Sequence, residues 1–153
     1  MLHRIDDRLI HGQVVVGWGR PMGVGFIALV DDTVAASEWE QELYRMGVPP
    51  EMTLYFADVE TAGREHARWE SDPRPGIVLT ADIGTMRRLA GAAPVTDVNL
   101  GGIHHAPGRT QRLRYVFLTP DEEQELRSLA ATGVRISALD VPGGTPVELE
   151  DML

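Results

Sequence analysis

Along the chain, apolar residues gather into strand-length blocks, and the stretches between them carry apolar positions at helical spacing. Val24-Gly25-Phe26-Ile27-Ala28-Leu29-Val30 is almost continuously apolar, the pattern of a parallel strand covered on both faces. Residues 2–6 read as a first strand, 52–57 as a third, 77–80 as a fourth, 95–100 as a fifth and 134–141 as the last. Residues 114–118 read as an additional strand whose direction the pattern does not fix. A short helix over 13–18 is closed by Gly17, Gly19 and Pro21. Ser37 and Glu40 read as a capping box opening a helix through Met46, with Gly47 behind it and Pro49-Pro50 enforcing the break. A polar helix over 58–69 ends before Ser71-Asp72-Pro73-Arg74-Pro75-Gly76, and Asp82 caps a helix over 83–90. Thr119-Pro120-Asp121-Glu122 starts another, with Leu126, Leu129 and Ala130 as its buried stripe and Gly133 as its stop.

Strands alternating with helices imply right-handed parallel crossovers. The fold class expected is α/β: a single-domain, open, mostly parallel sheet over residues 1–153 with helices on both faces. Ligands of such sheets sit at the carboxyl ends of the strands. Topology thus gathers the loop after the first strand, the Asp31-Asp32 turn, Thr80 and Gly101-Gly102 at one edge.

Composition narrows the functions open to this chain. At 153 residues it suits one core, and with Cys 0 it offers neither a disulfide framework nor a thiolate site. A net charge of -9 argues against a nucleic-acid backbone as the main partner. Apolar runs are strand-sized and no charged-apolar-small leader opens the chain, so a soluble, unexported protein is expected.

Candidate chemistry concentrates in Arg4-Ile5-Asp6-Asp7-Arg8-Leu9-Ile10-His11-Gly12-Gln13-Val14. His11 lies on the turn between strand and helix; Gly12 lets backbone approach an anion, and a helix starting near Gln13 aims its N–H groups and positive dipole end at His11. Imidazole is a nucleophile near neutral pH and a good leaving group when charged, so His11 reads as a phosphate carrier and Arg8 as a fork for phosphate oxygens. A solvated turn histidine is the plain alternative. Asp6 and Asp7 either orient His11 or fasten the turn and balance arginine. Thr80 reads as a phosphate contact or a strand-end hydrogen-bonder. His104-His105 with His11 invites a metal site, but adjacent histidines do not converge on one ion and no acidic ligand spacing completes a motif. Gly101-Gly102 is too short for a dinucleotide site, and Trp18, Trp39 and Trp69 read as core or interface aromatics.

The stretch from Arg4 to Val14 resembles the signature of the B component (enzyme IIB) of the mannose/fructose/sorbose family of the bacterial sugar phosphotransferase system. Val30-Asp31-Asp32-Thr33-Val34-Ala35, Val98-Asn99-Leu100-Gly101-Gly102-Ile103 and Gly108-Arg109-Thr110-Gln111 resemble further family segments, so the likeness runs along essentially the whole chain. The resemblance implies a phosphohistidine at His11, on Nδ1, with Arg8 as its phosphate-side partner and Asp6, Gly12, Gln13 and Thr80 as phosphate-binding or loop-orienting residues. It implies a cytoplasmic A component as donor, membrane C and D components with bound sugar as acceptors, peripheral association with the membrane through them, no metal or organic cofactor, and a possible homodimer. A regulatory module that senses phosphotransferase state through His11 is the alternative. Three departures stand out. Leu79-Thr80-Ala81-Asp82 replaces the family's Phe-Thr-Asn-Pro, His105 and Ala106 occupy the places of an aromatic and an arginine, and Val14-Val15-Val16-Gly17 precedes Trp18.

Overall fold

The computed structural model describes residues 1–153, apart from the side chain of Gln13, so that candidate lies outside the described residues. β1 (Leu2–Asp6) is followed by a π-helical segment (Gln13–Gly19), β2 (Phe26–Val30), α1 (Asp32–Ala35), α2 (Glu38–Met46), β3 (Thr53–Ala57), α3 (Val59–Glu70), β4 (Gly76–Thr80), α4 (Ile83–Ala92) and β5 (Asp97–Gly102). β6 (Thr110–Leu113), β7 (Val116–Leu118), α5 (Pro120–Ala131), β8 (Arg135–Ala138), β9 (Val147–Glu148) and α6 (Leu149–Met152) complete the chain. The sheet order is β3-β2-β4-β1-β5-β8-β9, parallel throughout except for β9, which runs antiparallel along β8. This is the open, mostly parallel α/β sheet expected from the alternation of blocks.

The apolar runs form strands because both faces of the sheet are covered. Ile5, Phe26, Ala28, Val30, Val78 and Leu100 face a core closed by residues of α3, α4 and α5; Ile27, Leu29, Ile77 and Leu79 face a second core with Leu9, Ile10, Val14, Val15, Trp18 and Val34. Burial of each Val, Leu, Ile or Phe side chain among them contributes roughly 1.5–3 kcal/mol. Residues two apart on a strand share a face. Leu2, Arg4 and Asp6 of β1 therefore point to the side of the second core, and His3 and Ile5 to the side of the first.

Helix starts follow local chemistry. Asp58, Asp82 and Thr119 cap α3, α4 and α5 by accepting from Thr61, Thr85 and Glu122 N–H groups, and Glu122 returns a bond to the Thr119 N–H at 2.9 Å. Ser37 accepts from the Glu40 N–H at 3.2 Å, but Glu40 Oε2 makes no return bond, so the expected box is half formed. Residues 114–118 supply β7, which pairs antiparallel with β6 in a separate ribbon and touches Ile103 by a parallel bridge.

The register of β1 against β5 slips between Ile5 and Asp6: Ile5 faces Leu100 and Asp6 faces Gly102, leaving Gly101 as the extra residue. A Cβ on Gly101 would lie 2.0 Å from Arg4 Cζ. Glycine at the bulge makes room for a buried guanidinium directly beneath the loop that carries His11.

Candidate functional site

The loop begins where β1 ends. Leu9 N–H donates to the Asp6 carbonyl at 2.9 Å, closing a turn in which Leu9 takes φ 57, a left-handed conformation that a leucine adopts only when its surroundings compel it. Leu9 and Ile10 are both buried in the second core. Their burial offsets the strain and fixes the loop. Val15 N–H donates to the His11 carbonyl at 3.0 Å, an α-type bond, and Gly12, in right-handed helical conformation, caps the π-helical segment that starts at Gln13, so a helix does begin just after His11. Such π-helical turns recur at functional sites. Gly12 has open space where a Cβ would be.

Asp6 is the hub of the loop and is fully buried. Its Oδ2 lies 3.2 Å from His11 Nε2, 3.1 Å from Arg8 Nη2 and 3.2 Å from Arg4 Nη2. Its Oδ1 accepts from the Arg8 backbone N–H and from Arg8 Nε, both at 3.1 Å. Burial pulls the Asp6 carboxyl upward, but hydrogen bonds from His11 and from the Arg8 side chain and backbone, together with the Arg4 charge, outweigh it and hold the group well below the usual carboxylate range. An ionised Asp6 accepts a proton-bearing Nε2, and the tautomer this contact selects carries its lone pair on Nδ1. The His11 side chain is 18% exposed and that of Arg8 36%.

Arg4, which has no role in the sequence reading of the site, braces Asp6 from below. A charged residue within an apolar strand, two positions from an aspartate and on the same face, is the signal that points to it. Asp7 faces elsewhere: its carboxylate takes the His104 N–H at 2.7 Å and the His104 ring at Nδ1, 2.5 Å away. Arg109 Nη1 donates to the His104 carbonyl at 2.7 Å and its guanidinium forks onto Glu122 at 3.0 and 2.9 Å, tying the 103–109 loop to the start of α5. Gly102 completes this wall, since a Cβ there would stand 3.3 Å from Asp6 Oδ1 and 3.4 Å from Arg8 Nη2.

The other candidates serve local structure. Thr80 is buried and its hydroxyl donates to the Asp82 carbonyl at 3.2 Å, holding the turn between β4 and α4. Asp31 caps α1, and Asp32 accepts from the Val59 N–H and from Arg88. The two adjacent histidines diverge, His104 toward Asp7 and His105 edge-on to Phe117. No group of three His, Cys, Asp or Glu side chains suited to a metal ion occurs among the described residues. Trp18 and Trp69 are buried as the core reading holds, whereas Trp39 is 71% exposed on α2.

A buried carboxylate beside a half-open imidazole and an arginine fork, at the mouth of a helix, can hold an anionic group against a ring nitrogen. In comparison with known proteins, a family model described as the sorbose subfamily IIB component of the phosphotransferase system (PTS) matches residues 1–153. The chain belongs to this IIB family. It is thus a component of a sugar phosphotransferase system. It is 31% identical to the N-acetylgalactosamine-specific phosphotransferase enzyme IIB component 1 of Escherichia coli K12, over 99% of this chain and 96% of that protein. The mannose-specific EIIAB component of the same strain is 29% identical over 99% of this chain, which spans 47% of that longer protein. The crystal structure of manxB from Thermoanaerobacter tengcongensis superposes with a TM-score of 0.87 at 29% identity, covering 99% of this chain and 92% of that one. No helix among the described residues of this IIB component is long and apolar enough to cross a membrane.

Proposed function

We propose that this IIB component, a single domain over residues 1–153, carries a phosphoryl group on His11 between a protein donor and a sugar. The observation that carries this reading is the 3.2 Å contact between His11 Nε2 and the buried Asp6 carboxylate. With the Nε2 proton engaged by Asp6, the Nδ1 lone pair attacks the phosphorus of a phosphohistidine on the A component. The donor's P–N bond breaks and its electron pair returns to the donor ring. His11 keeps its Nε2 proton, and the resulting positive ring is balanced by Asp6, which makes it a good leaving group for the next step. A sugar hydroxyl oxygen then attacks phosphorus, its proton passes to a base at the sugar site, and the P–Nδ1 pair returns to His11.

Little covalent chemistry is asked of the protein beyond this. Arg8 neutralises the transferred group, and the N–H groups ahead of the Val15–His11 bond supply the donors of a helix start, with Gly12 leaving the approach open. Asp6 orients the ring, and Thr80 and the Asp7–His104 pair hold neighbouring loops. The Gln13 backbone belongs to the same helix start. Partners that fit this chemistry are an A component, as the fused name of the mannose-specific EIIAB relative suggests, and membrane C and D components holding the sugar. The chain then works in the cytoplasm against the inner membrane face, as a monomer or a homodimer.

The test is phosphorylation by a cognate A component followed by addition of membrane components and sugar. Sugar-dependent loss of label supports a carrier. Label retained, or released only to water, supports a sensor of phosphotransferase state instead.

A further inference from the structure

Arg4 has no exposed surface and is among the largest fully buried side chains of the protein. A buried guanidinium is costly unless its donors are placed. Nη1 donates to Asn99 Oδ1 at 2.5 Å and to the Leu139 carbonyl at 2.9 Å; Nη2 donates to Asp6 Oδ2 at 3.2 Å and to the Asp140 carbonyl at 3.3 Å. The Trp18 ring lies 4.6 Å from its Cζ, and the indole N–H donates to the same Asp140 carbonyl at 2.8 Å. Asn99 Nδ2 donates to the Leu139 carbonyl at 3.2 Å, so Asn99 and Arg4 share that anchor. The guanidinium is therefore fixed at once by β5, by the segment after β8 and by the π-helical segment. Its one link toward the loop is Asp6.

Asp6 has two arginines, and they differ in kind. Arg4 is sealed and braced, whereas the Arg8 side chain is 36% exposed and anchored on Asp6 alone among its described hydrogen bonds. If Arg8 were the only cation, turning it toward an arriving phosphoryl group would strand a buried carboxylate. A second, immovable cation removes that conflict.

We infer that Arg4 is a positioning residue for phosphoryl transfer: it fixes Asp6 so that His11 is presented with its proton on Nε2, and it keeps Asp6 balanced while Arg8 serves the phosphoryl group. The inference rests on the reading of His11 as the carrier. Nothing in it requires Arg4 to touch the transferred group.

Arg4→Lys keeps a positive charge but cannot fork between Asn99, Leu139 and Asp6. In the full-length, uniformly nitrogen-15-labelled chain, long-range proton–nitrogen spectra at a pH where His11 is neutral should show the Nε2–H tautomer in the wild type and a mixture with Nδ1–H in Arg4→Lys. The rate of phosphoryl acceptance from a saturating phosphorylated A component should fall at least about tenfold, the loss of roughly one charged hydrogen bond. Asn99→Ala removes one brace while leaving every charge in place, and keeps the inference testable if Arg4→Lys does not fold. It should move both readouts the same way, slowing acceptance about two- to tenfold. A folded variant of either kind with the wild-type tautomer and the wild-type rate would reduce Arg4 to core filling and overturn the inference. The tautomer is read without phosphate, which separates failure of this inference from failure of the carrier reading.

Discussion

Arg4 and Asp6 form a fully buried ion pair, Nη2 to Oδ2 at 3.2 Å, two residues apart on one face of the central strand. Removing one partner of such a pair leaves an uncompensated charge in the core, which costs about 3–5 kcal/mol. Asp6→Asn should therefore destabilise the protein by about 3 kcal/mol, even though the amide can still accept one bond. Denaturant unfolding checks this, and a loss below about 1 kcal/mol would be at odds with the buried-pair account.

Arg8→Ala should slow phosphoryl acceptance far more than it weakens the fold, because its side chain is partly exposed and its value lies in the charge it offers the transferred group. The expected loss of roughly 1.5–3 kcal/mol corresponds to about ten- to a hundredfold in rate. Arg8→Lys should restore only part of it, since an ammonium lacks the planar fork that spans both Asp6 oxygens. Stopped-flow transfer from the A component measures both variants; wild-type rates in each would remove Arg8 from the mechanism.

Gly101→Ala tests the bulge. The added Cβ would meet Arg4 Cζ at 2.0 Å, and Arg4 is too firmly bonded to yield without breaking its links to Asn99 and Asp6. Overpacking of this kind costs about 1–3 kcal/mol. Thermal unfolding should show the loss, and the His11 ring resonances should shift with it. Gly91→Ala, where a Cβ meets nothing within 4 Å, is the matched control.

A buried histidine pair sets an acid limit on the fold. His3 and His66 face each other Nε2 to Nε2 at 2.8 Å. Burial, and then the His66 charge, pushes His3 down to about 4; burial also lowers His66. The folded protein thus binds fewer protons here than the unfolded chain, so this contribution to stability is complete above about pH 6.5 and is lost as pH falls toward 4. Melting temperatures from pH 7 to pH 4 should decline, and His3→Gln should flatten the decline. An equally steep decline in the variant would assign the acid sensitivity elsewhere. The Asp6 contribution lies lower, lost only as pH drops below the ordinary carboxylate range, because its folded value is depressed.

The parts of this fold that were legible in the sequence are those with local causes. β2 and β4 announce themselves by apolar runs, and α3, α4 and α5 by Asp58, Asp82 and Thr119 at their caps. What was not legible depends on distant partners. β6 is largely exposed and polar, Thr110-Gln111-Arg112-Leu113, and exists because β7 pairs with it. β9 and α6 in the tail are two and four residues long, too short for any period to show. The Val14-Val15-Val16 run reads as helix, but its π hydrogen-bond spacing is set by packing of Val14, Val15 and Trp18 on the sheet.

The site divides in the same way. His11, Arg8 and Asp6 lie within one continuous stretch and are seen together in it. The Asn99, Leu139 and Asp140 anchors of Arg4 lie 95 or more residues away, as does His104 from Asp7 at a separation of 97, and only the folded sheet brings them in. Trp39, expected in a core or an interface, is not in the core: it lies on α2, a helix that buries no residue, and it projects from the surface.

The central claim is that His11 alone carries the phosphoryl group, and acid-labile phosphate on the intact chain tests it most directly. After incubation with a phosphorylated A component, wild type, His104→Ala and His105→Ala should gain acid-labile phosphate on residue 11, seen by intact mass and by the phosphorus resonance of an Nδ1-phosphohistidine. His11→Gln, which keeps an amide for the turn but offers no nucleophilic ring nitrogen, should gain none. A folded His11→Gln protein that still accepts the phosphoryl group and delivers it to sugar would contradict the account.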